Sequence, residues 1–532
     1  MDGPNVNWKM FDDFSKDVEV ENDQDQKLID IGSCGLHTMH NAYKLGMTKS
    51  EFDIGSFLSS LYYLFKDSPV RREDFMVSSK GKDFPLKYCG HRWLENVPCI
   101  ERAISLLPAI QLYISNISTE PKCKSFLTVK ECMSDKLLKA KLEASLSLAR
   151  TLQPFLTKYQ TDAPMLPFLG QDLFKIIKRL LSRCLKPEVI NSVSAPKDVL
   201  KLNLNVQTSE DFLSHSKIDI GTGAVAHLRD VSASKTDYLC LRLGVKRFIV
   251  AIVSKLMERS PLKYSLVRNL YCLDPKQLIQ KPISSLTQAM NNVVDNYFAS
   301  NRIAKKDCDS IKDEYRELLN SLRSSGNDDK RDVFLNWDKN SDSDVRLDHF
   351  LHANLKDECP KLWDLVKQLL LLSHGNAVVE RGFSVNKEVE VENLKEHSLI
   401  AQRRILDLVR SHGGPTKVPL TAGLLNAAKQ GRQNYQQFLE DQKKEANRKT
   451  LKRKKDKLEK ELDELKEKAA RLEGSALDIE KEMDRLYKKA EEKSDFSALS
   501  AANGLREKMK ENRLKLKETN DQISQKRDEM QF

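Results

Sequence analysis

The chain has 532 residues, with 88 Lys and Arg against 77 Asp and Glu, which gives a net charge of +11. This length predicts two to four structural units, and the mild basic excess permits a nucleic-acid partner without requiring one. Gly (20) and Pro (17) are scarce, which excludes a collagen-like or largely disordered chain. No apolar run reaches the roughly 18 residues of a membrane span, so we expect no membrane partner.

Most of the sequence predicts helix, and two short segments predict strands. The first strand is Lys27–Gly32, which is partly β-branched, ends at Gly and Ser, and leads into a helix at Cys34–Leu45. A second, weaker strand is Leu200–Leu204. Longer segments with apolar residues at helical spacing are Leu137–Leu152, Asp237–Glu258 and Ile303–Leu322. These patterns predict a mainly α protein.

The ten cysteines are scattered and form no CxxC pair. The first residues, MDGPNVNWKMFDD, lack the basic-then-apolar layout of a signal peptide. Both observations predict reduced thiols in an intracellular protein.

The last part of the chain differs from the rest in composition. After a Gly- and Pro-containing linker at Ser411–Pro419, residues 441–532 hold 26 basic and 22 acidic residues. Apolar residues at heptad spacing predict a coiled coil, with a solvated single helix as the alternative. A break at Ser494–Gly504 and a second helix at Leu505–Met530 allow a folded-back hairpin. The heptad series is Leu451, Leu458, Leu465, Leu472, Ile479 and Leu486.

A basic stretch, Lys443–Lys460, lies where these heptads begin. It holds ten basic and three acidic residues, a composition typical of phosphate-binding patches and nuclear-import signals. The bland alternative is a solvated helix surface. A basic-zipper interpretation fits poorly, because the stretch overlaps the first heptads instead of preceding them. The centre of the stretch, and our candidate nucleic-acid-binding set within it, is Lys452, Arg453, Lys454 and Lys455.

Three clusters of motif residues occur in a fixed order. The first is Asp2-Gly-Pro-Asn5-Val-Asn7, and the second is Cys34-Gly-Leu-His37, followed by Cys89-Gly-His91-Arg92-Trp93. The third is LLLLSHGNAVVERGFSVN at residues 369–386. In this order they resemble the hAT superfamily of transposases along residues 2–410. The Glu-Arg-x-Phe-Ser segment, which begins at Glu380, is the most specific of the matches.

The resemblance implies a ribonuclease-H-like catalytic core with an Asp-Asp-Glu trio that holds two divalent metals. Asp2 resembles the second Asp of that trio and Glu380 resembles the Glu, while the first Asp would lie upstream of this chain. We therefore expect no strand transfer and no cofactor, with magnesium required only if an upstream region completes an active enzyme. Arg92 and Trp93 resemble a DNA-contacting pair, in which the tryptophan stacks on a flipped base.

Two further sets of residues follow from the motifs. Leu370, Val379 and Phe383 fall in the segment that resembles the family's dimerisation region, and we expect self-association there and along the heptads. Two Cys and two His could instead hold a structural zinc ion. More commonly, such residues are part of the core, with their polar atoms hydrogen-bonded, and bind no metal. This zinc set is Cys34, His37, Cys89 and His91.

The sequence thus predicts a mainly α protein with a partial ribonuclease-H-like remnant, a helical insertion and a C-terminal coiled coil. Its function would be that of a nuclear, transposase-derived, inactive protein that forms homo-oligomers and is able to bind DNA. The alternatives are an active metal-dependent transposase, or a scaffold that recruits unidentified coiled-coil partners and keeps a relic transposase part. The predicted divisions are 1–48 (remnant), 49–359 (insertion), 360–413 (dimerisation segment), 414–440 (linker) and 441–532 (coiled coil).

Overall fold

The protein is mainly helical, as the sequence predicted. The computed structural model describes residues 5–21, 27–117, 119–205, 210–324, 326, 328–337, 345–392, 394–493 and 496–530. These residues contain helices and loops but no strand. They divide into two compact units, residues 1–392 and 393–532.

Both predicted strands are therefore wrong. Lys27–Gly32 is an extended loop whose first residue exchanges hydrogen bonds with the end of a helix. The Lys27 amide donates to the Ser300 carbonyl (3.1 Å), and the Lys27 carbonyl accepts from Arg302 (2.9 Å). Leu200–Leu204 is a turn followed by a loop. Neither segment lies beside a strand that could complete a ladder, so β-branched composition alone did not produce one.

The first unit is an assembly of helices around one apolar core. The three long helices predicted from apolar spacing are present here as α7, α12 and α16, and the one after the first loop is α2. The α-helices of this unit are α1 (Asn5–Glu21), α2 (Gly35–Ser50), α3 (Ile54–Lys66), α4 (Pro69–Ser79), α5 (Val97–Asn116), α6 (Lys124–Ser134), α7 (Leu138–Tyr159), α8 (Leu166–Leu181), α9 (Pro187–Ser192), α10 (Pro196–Val199), α11 (Thr222–Asp230), α12 (Lys235–Arg259), α13 (Ser265–Asn269), α14 (Pro275–Gln280), α15 (Ile283–Ala299), α16 (Lys305–Ser321), α17 (Asp328–Asn336), α18 (Leu347–Leu355), α19 (Pro360–Leu371) and α20 (Ala377–Val389). Short 3-10 helices occur at Trp93–Asn96, His215–Lys217, Pro261–Lys263 and Leu270–Leu273.

The close pairing of α2 with α12 organises the core near the Cys34-x-x-His37 motif. A Cβ atom at Gly46 would lie 2.3 Å from the Phe248 ring, and one at Gly244 would lie 2.3 Å from the Phe52 ring. Glycine at both places therefore lets the two helices approach until aromatic rings rest on backbone. The buried Tyr43 ring also contacts Phe248, and its hydroxyl donates to the Ser145 carbonyl of α7 (2.9 Å). Helix α2 is thus fixed against both α12 and α7.

One described stretch could cross a membrane by length and composition alone. It is Trp93–Asn116, which comprises a 3-10 helix and α5, and 44% of its most apolar window is buried. Core helices of soluble proteins have the same composition, so the indication is weak. The expected absence of a membrane partner stays a prediction.

The second unit contains two long helices that form an antiparallel hairpin. Its helices are α21 (Glu396–Ser411), α22 (Ala422–Lys493) and α23 (Phe496–Met530), with a 3-10 helix at Pro415–Lys417. Lys526 pairs with Glu461 (2.9 Å), and Asn512 donates to Ser475 (3.1 Å), so rising numbers on one helix meet falling numbers on the other. Helix α22 passes through position 441 without a break.

The second long helix begins at Phe496 and not, as predicted, at Leu505. Ala498, Ala501 and Ala502 favour helix, and one glycine at 504 is tolerated within it at a cost of about 1 kcal/mol. Ala498 and Ala502 are buried, and their small side chains allow the two helices to lie close together near the turn of the hairpin.

Candidate functional site

The residues from the Cys34-x-x-His37 motif lie at the start of α2. Cys34 is the residue before the helix, and the Thr38 hydroxyl donates back to its carbonyl (3.0 Å). Upstream, Gly32 has a φ of +89° and donates to Asp30 (2.8 Å), which turns the chain into the helix. His37 and His40 are three residues apart on α2, so both side chains point to the same side.

A second loop, residues 89–92, lies against this side of α2. The Asn96 side chain holds the loop, because its Oδ1 accepts from the Cys89 amide (2.7 Å) and its Nδ2 donates to the Cys89 carbonyl (2.9 Å). The Leu94 amide donates to Nδ1 of the buried His40 (3.2 Å). These bonds leave Arg92 directed towards the start of α20.

Glu380, on the first turn of α20, completes the site. Its Oε2 accepts from Arg92 Nη2 (2.9 Å), and its Oε1 lies 3.6 Å from His37 Nε2. Arg92 also pairs with Glu95 (3.2 Å). The three motif residues His37, Arg92 and Glu380 therefore meet in one place, although Arg92 and Glu380 are 288 positions apart.

These residues line a cavity of about 540 Å³, which we call the Glu380 pocket. The pocket is open and partly polar, and basic side chains outnumber acidic ones in its lining, with Arg92, Arg381 and Lys387 against Glu95 and Glu380. Arg381 is tied to Asp162 (3.1 Å) at its edge. Such a pocket favours an anionic ligand over a cation.

The environment shifts the pKa values of three groups around the pocket. Burial, together with the positive charges of His37, Arg92 and His91, lowers the pKa of His40 to about 4, so this ring is neutral at pH 7. Burial alone would lower the pKa of Arg92, but Glu95 and Glu380 outweigh it and raise that pKa. Burial would likewise raise the pKa of the Cys34 thiol, but hydrogen bonds with the side chain and amide of His37 and the amide of Asn376 lower it.

Trp93 does not enter the Glu380 pocket. Its Nε1 donates to the Gly90 carbonyl (2.8 Å), and its ring meets the Tyr88 ring edge-to-face with centroids 5.4 Å apart. Lys44 Nζ lies 6.0 Å from the ring centroid. The ring lines a separate polar groove beside α3, so Arg92 and Trp93, which are adjacent in sequence, face different cavities.

The remaining predicted residues lie in several places. Asp2 lies outside the described residues. Cys89 and His91 are neighbours within the loop, with Sγ 3.7 Å from Nε2, and Cys34 is buried at the start of α2. Across the described residues no group of three His, Cys, Asp or Glu side chains is arranged to hold a metal, so the four residues of the zinc set are not brought together there.

The predicted dimerisation residues divide into three kinds. Leu370 is half-buried against the core, while Val379 and Phe383 on α20 are 56% and 62% exposed. In the second unit Leu451 is exposed, because α23 ends before reaching it. The other heptad residues are half-buried where α23 packs against α22, and these are Leu458, Leu465, Leu472, Ile479 and Leu486.

The basic stretch lies on the part of α22 that extends beyond α23. Lys526 pairs with Glu461, and Met530 is only one turn further along α23, so that helix stops opposite the end of the stretch. Four basic residues of the stretch have an acidic residue of α22 within 4 Å, as in Lys449–Glu445 (3.8 Å) and Lys455–Glu459 (3.9 Å). Lys452, Arg453, Lys454 and Lys455 are all exposed to solvent.

Sequence reasoning missed the residue that positions α20. His374 is buried, and its Nε2 lies 3.0 Å from the Tyr159 carbonyl at the end of α7. This contact fixes the turn before α20 and so places Glu380. His374 stands within the quoted motif segment, but nothing in its spacing distinguished a buried anchor from a surface residue. Gln160 and Lys387, which also line the pocket, carried no sequence signal.

No protein-family model and no curated protein matches the chain.

Proposed function

We propose that the protein is derived from a hAT-type transposase, binds nucleic acid without cutting it, and self-associates. The observation that best supports this is the meeting of His37, Arg92 and Glu380 in one pocket. These three residues belong to separate motifs of the resemblance, and a shared site would bring such motifs together. Residues 1–48 would be what remains of a ribonuclease-H-like part, and the hairpin would be the coiled coil.

The surroundings of Glu380 favour binding over cleavage. Each carboxylate oxygen faces a basic group, Arg92 on one side and His37 on the other. A divalent cation would have to displace the Arg92 guanidinium to reach the carboxylate. A phosphate group would meet Lys387 and would share Arg92 and Arg381 with the carboxylates that already pair with them. Two-metal phosphodiester cleavage requires several free carboxylates at one point.

The exposed basic stretch supplies the second part of the proposal. Eighteen residues of α22 present ten basic side chains along a helix that α23 covers only at its last turn. A helix of this kind can follow the phosphate backbone, and the affinity would come from counterion release and not from base reading. Nuclear location belongs to the same proposal, since the stretch also resembles an import signal.

A salt series on the whole protein tests nucleic-acid binding. The variant carries alanine at Lys452, Arg453, Lys454 and Lys455. We expect this variant to bind a DNA duplex at least about tenfold more weakly than the unmodified protein at low salt. The slope of log K against log salt should become less steep by about three to four, because each lost phosphate contact removes about 0.9 from the slope. Binding is measured by fluorescence anisotropy.

A matched variant controls for total charge. It carries alanine at four exposed lysines of α23, namely Lys508, Lys510, Lys515 and Lys517, and we expect it to keep nearly the full salt slope. Equal losses in the two variants would show non-specific attraction to a basic protein and contradict the proposal. The duplex should remain intact when magnesium is added, and cleavage that depends on Glu380 would refute the inactive assignment.

Self-association is supported by the apolar residues that α20 exposes. Replacing Val379 and Phe383 with serine is expected to shift the protein towards monomer by at least about tenfold in dissociation constant, because burying two such side chains is worth about 1.5–3 kcal/mol each. Sedimentation velocity over a concentration series measures this.

The matched control replaces one exposed valine and one exposed phenylalanine elsewhere in the unit, Val77 and Phe298, which are 75% and 44% exposed. This variant should sediment as the unmodified protein does. A monomeric unmodified protein, or equal shifts in the two variants, would contradict self-association through α20.

A further inference from the structure

A second cavity lies where the start of α11 meets α7 and the end of α8. It has a volume of about 470 Å³, and we call it the Gly221 cavity. Its lining includes three arginines, Arg150, Arg179 and Arg183, and two acidic residues, Glu143 and Asp219. None of these five residues belongs to the motifs of the resemblance or to the Glu380 pocket.

Two glycines shape the wall of the cavity. Gly221 has a φ of +89°, and a Cβ atom there would lie 2.8 Å from Ser147 Oγ on α7. A Cβ atom on Gly223 would lie 2.4 Å from a carboxylate oxygen of Glu143. The Gly221-Thr222-Gly223 turn is therefore pressed against α7, and Thr222 and Gly223 line the cavity.

The backbone of this turn presents free hydrogen-bond donors. The Gly221 carbonyl accepts from the Val225 amide (3.1 Å), and the Gly221 amide donates to Asp219 Oδ1 (2.8 Å). The next three amides, those of Thr222, Gly223 and Ala224, are in the first turn of the nine-residue α11 and have no acceptor among the described residues. First-turn amides of a helix attract anions, and the helix dipole adds to the effect.

The guanidinium of Arg183 is a second and independent indication of a ligand. The Arg183 side chain is only 9% exposed, and its Nε is engaged by Asp219, at 3.3 Å from the carbonyl and 3.2 Å from Oδ2. Its Nη2 is buried without a hydrogen-bond partner in the described structure. That nitrogen lies 3.5 Å from the position of a Cβ atom on Gly221, so it faces the turn with the free amides. A buried charged donor without a partner is costly.

We propose that the Gly221 cavity binds a phosphate group, held by Arg183 Nη2 and the first amides of α11. Arg179 and Arg150 are exposed at the opening, and Arg150 also donates a hydrogen bond to Glu101 (2.7 Å). Phosphate suits this donor set because its oxygens can accept from a guanidinium and from several amides at once. The ligand is either a small phosphorylated compound or a phosphate of a nucleic-acid backbone.

Glu143 opposes this binding and makes the proposal testable in both directions. Its carboxylate lies against Gly223, where it occupies part of the positive end of α11 in the empty cavity. Asp219 is already satisfied by Arg183 Nε and the Gly221 amide. Removing the charge of Glu143 should therefore strengthen phosphate binding. If the cavity held no anion site, this substitution would not change phosphate binding.

The experiment uses inorganic phosphate and the whole protein, with calorimetry as the readout. We expect saturable binding that weakens at least about tenfold in Arg183→Gln, the loss of one charge-assisted hydrogen bond. Arg179→Gln, at an exposed position, should weaken binding several-fold without a risk to folding, and Glu143→Gln should tighten it. The matched control is Arg316→Gln on α16, whose arginine is exposed and paired with Asp313.

The outcomes are distinct. No phosphate binding by the unmodified protein, or equal effects of Arg179→Gln and Arg316→Gln, would overturn the proposal. Competition by a short single-stranded oligonucleotide would identify a nucleic-acid backbone as the source of the phosphate, and no competition would identify a small phosphorylated compound. The basic stretch lies in the other unit, so the result for phosphate binding is independent of the result for DNA binding by that stretch.

Discussion

Replacing Phe248 with alanine is expected to lower the unfolding free energy of the first unit by about 3–5 kcal/mol. Phe248 is fully buried, and its ring centroid lies 5.1 Å from that of Tyr43 and 6.5 Å from that of Phe52. It also covers the backbone of Gly46. Truncation leaves a cavity between α2 and α12 that neither helix can fill, because the glycines that let them approach have no side chains to move.

Urea denaturation followed by tryptophan fluorescence measures this effect. All four tryptophans of the chain lie in the first unit, so the signal reports that unit alone. Phe298→Ala is the control, because Phe298 is 44% exposed and its truncation should change stability by less than about 1 kcal/mol. A loss at Phe248 no larger than that at Phe298 would show that the α2–α12 contact is not a main support of the core.

Acidification should destabilise the first unit through His40. The pKa of this ring is lowered from its usual 6.5 to about 4 in the folded protein. Between those values the unfolded chain takes up a proton that the folded protein does not, so stability falls as pH drops from 6.5 to 4 and is unaffected by this group above that window. The shift corresponds to about 3 kcal/mol at 1.36 kcal/mol per pKa unit.

His40→Asn isolates this effect. Asparagine does not titrate, and its side-chain oxygen can accept from the Leu94 amide as His40 Nδ1 does (3.2 Å). The difference in unfolding free energy between the variant and the unmodified protein should therefore change by about 3 kcal/mol between pH 7 and pH 4. Carboxylates and the buried His374 contribute equally to both proteins and cancel. A difference that does not change with pH would contradict a neutral, buried His40.

Helix content could be predicted from sequence, and the reason is visible in α7. Its apolar residues recur at helical spacing, and those on one side, such as Leu142, Leu146 and Ala149, are buried. The strand at Lys27–Gly32 was predicted from composition alone. A strand needs a neighbour, and the residues adjacent to this loop are the end of α15 and Arg302. Such non-local surroundings cannot be read from six residues.

The candidate site was predictable in part. The motif resemblance alone selects His37, Arg92 and Glu380, and these residues are in contact. It also selected Trp93, which faces a different groove, since sequence adjacency to Arg92 says nothing about side-chain direction at a loop-to-helix junction. The Gly221 cavity carried no motif signal. Its features are a buried guanidinium nitrogen, Arg183 Nη2, without a partner and free amides, which only tertiary structure reveals.

The heptad pattern predicted that another helix packs against α22. It did not determine whether that helix belongs to the same chain or to a second one. In the structure α23 of the same chain packs there, with Asn512 bonded to Ser475 and Lys526 to Glu461. These two polar contacts fix the register of α23 on α22.

The ion pair of Arg92 with Glu380 has a consequence for how the protein is made. It joins residues 288 positions apart, and the His374 contact with Tyr159 spans 215. At roughly 5–20 residues per second of synthesis, α2 and the Arg92 loop would wait on the order of 15–60 s for their partner to leave the ribosome. Contacts of such long range also slow folding. During that interval the N-terminal helices lack Glu380, and the pocket has no α20 wall.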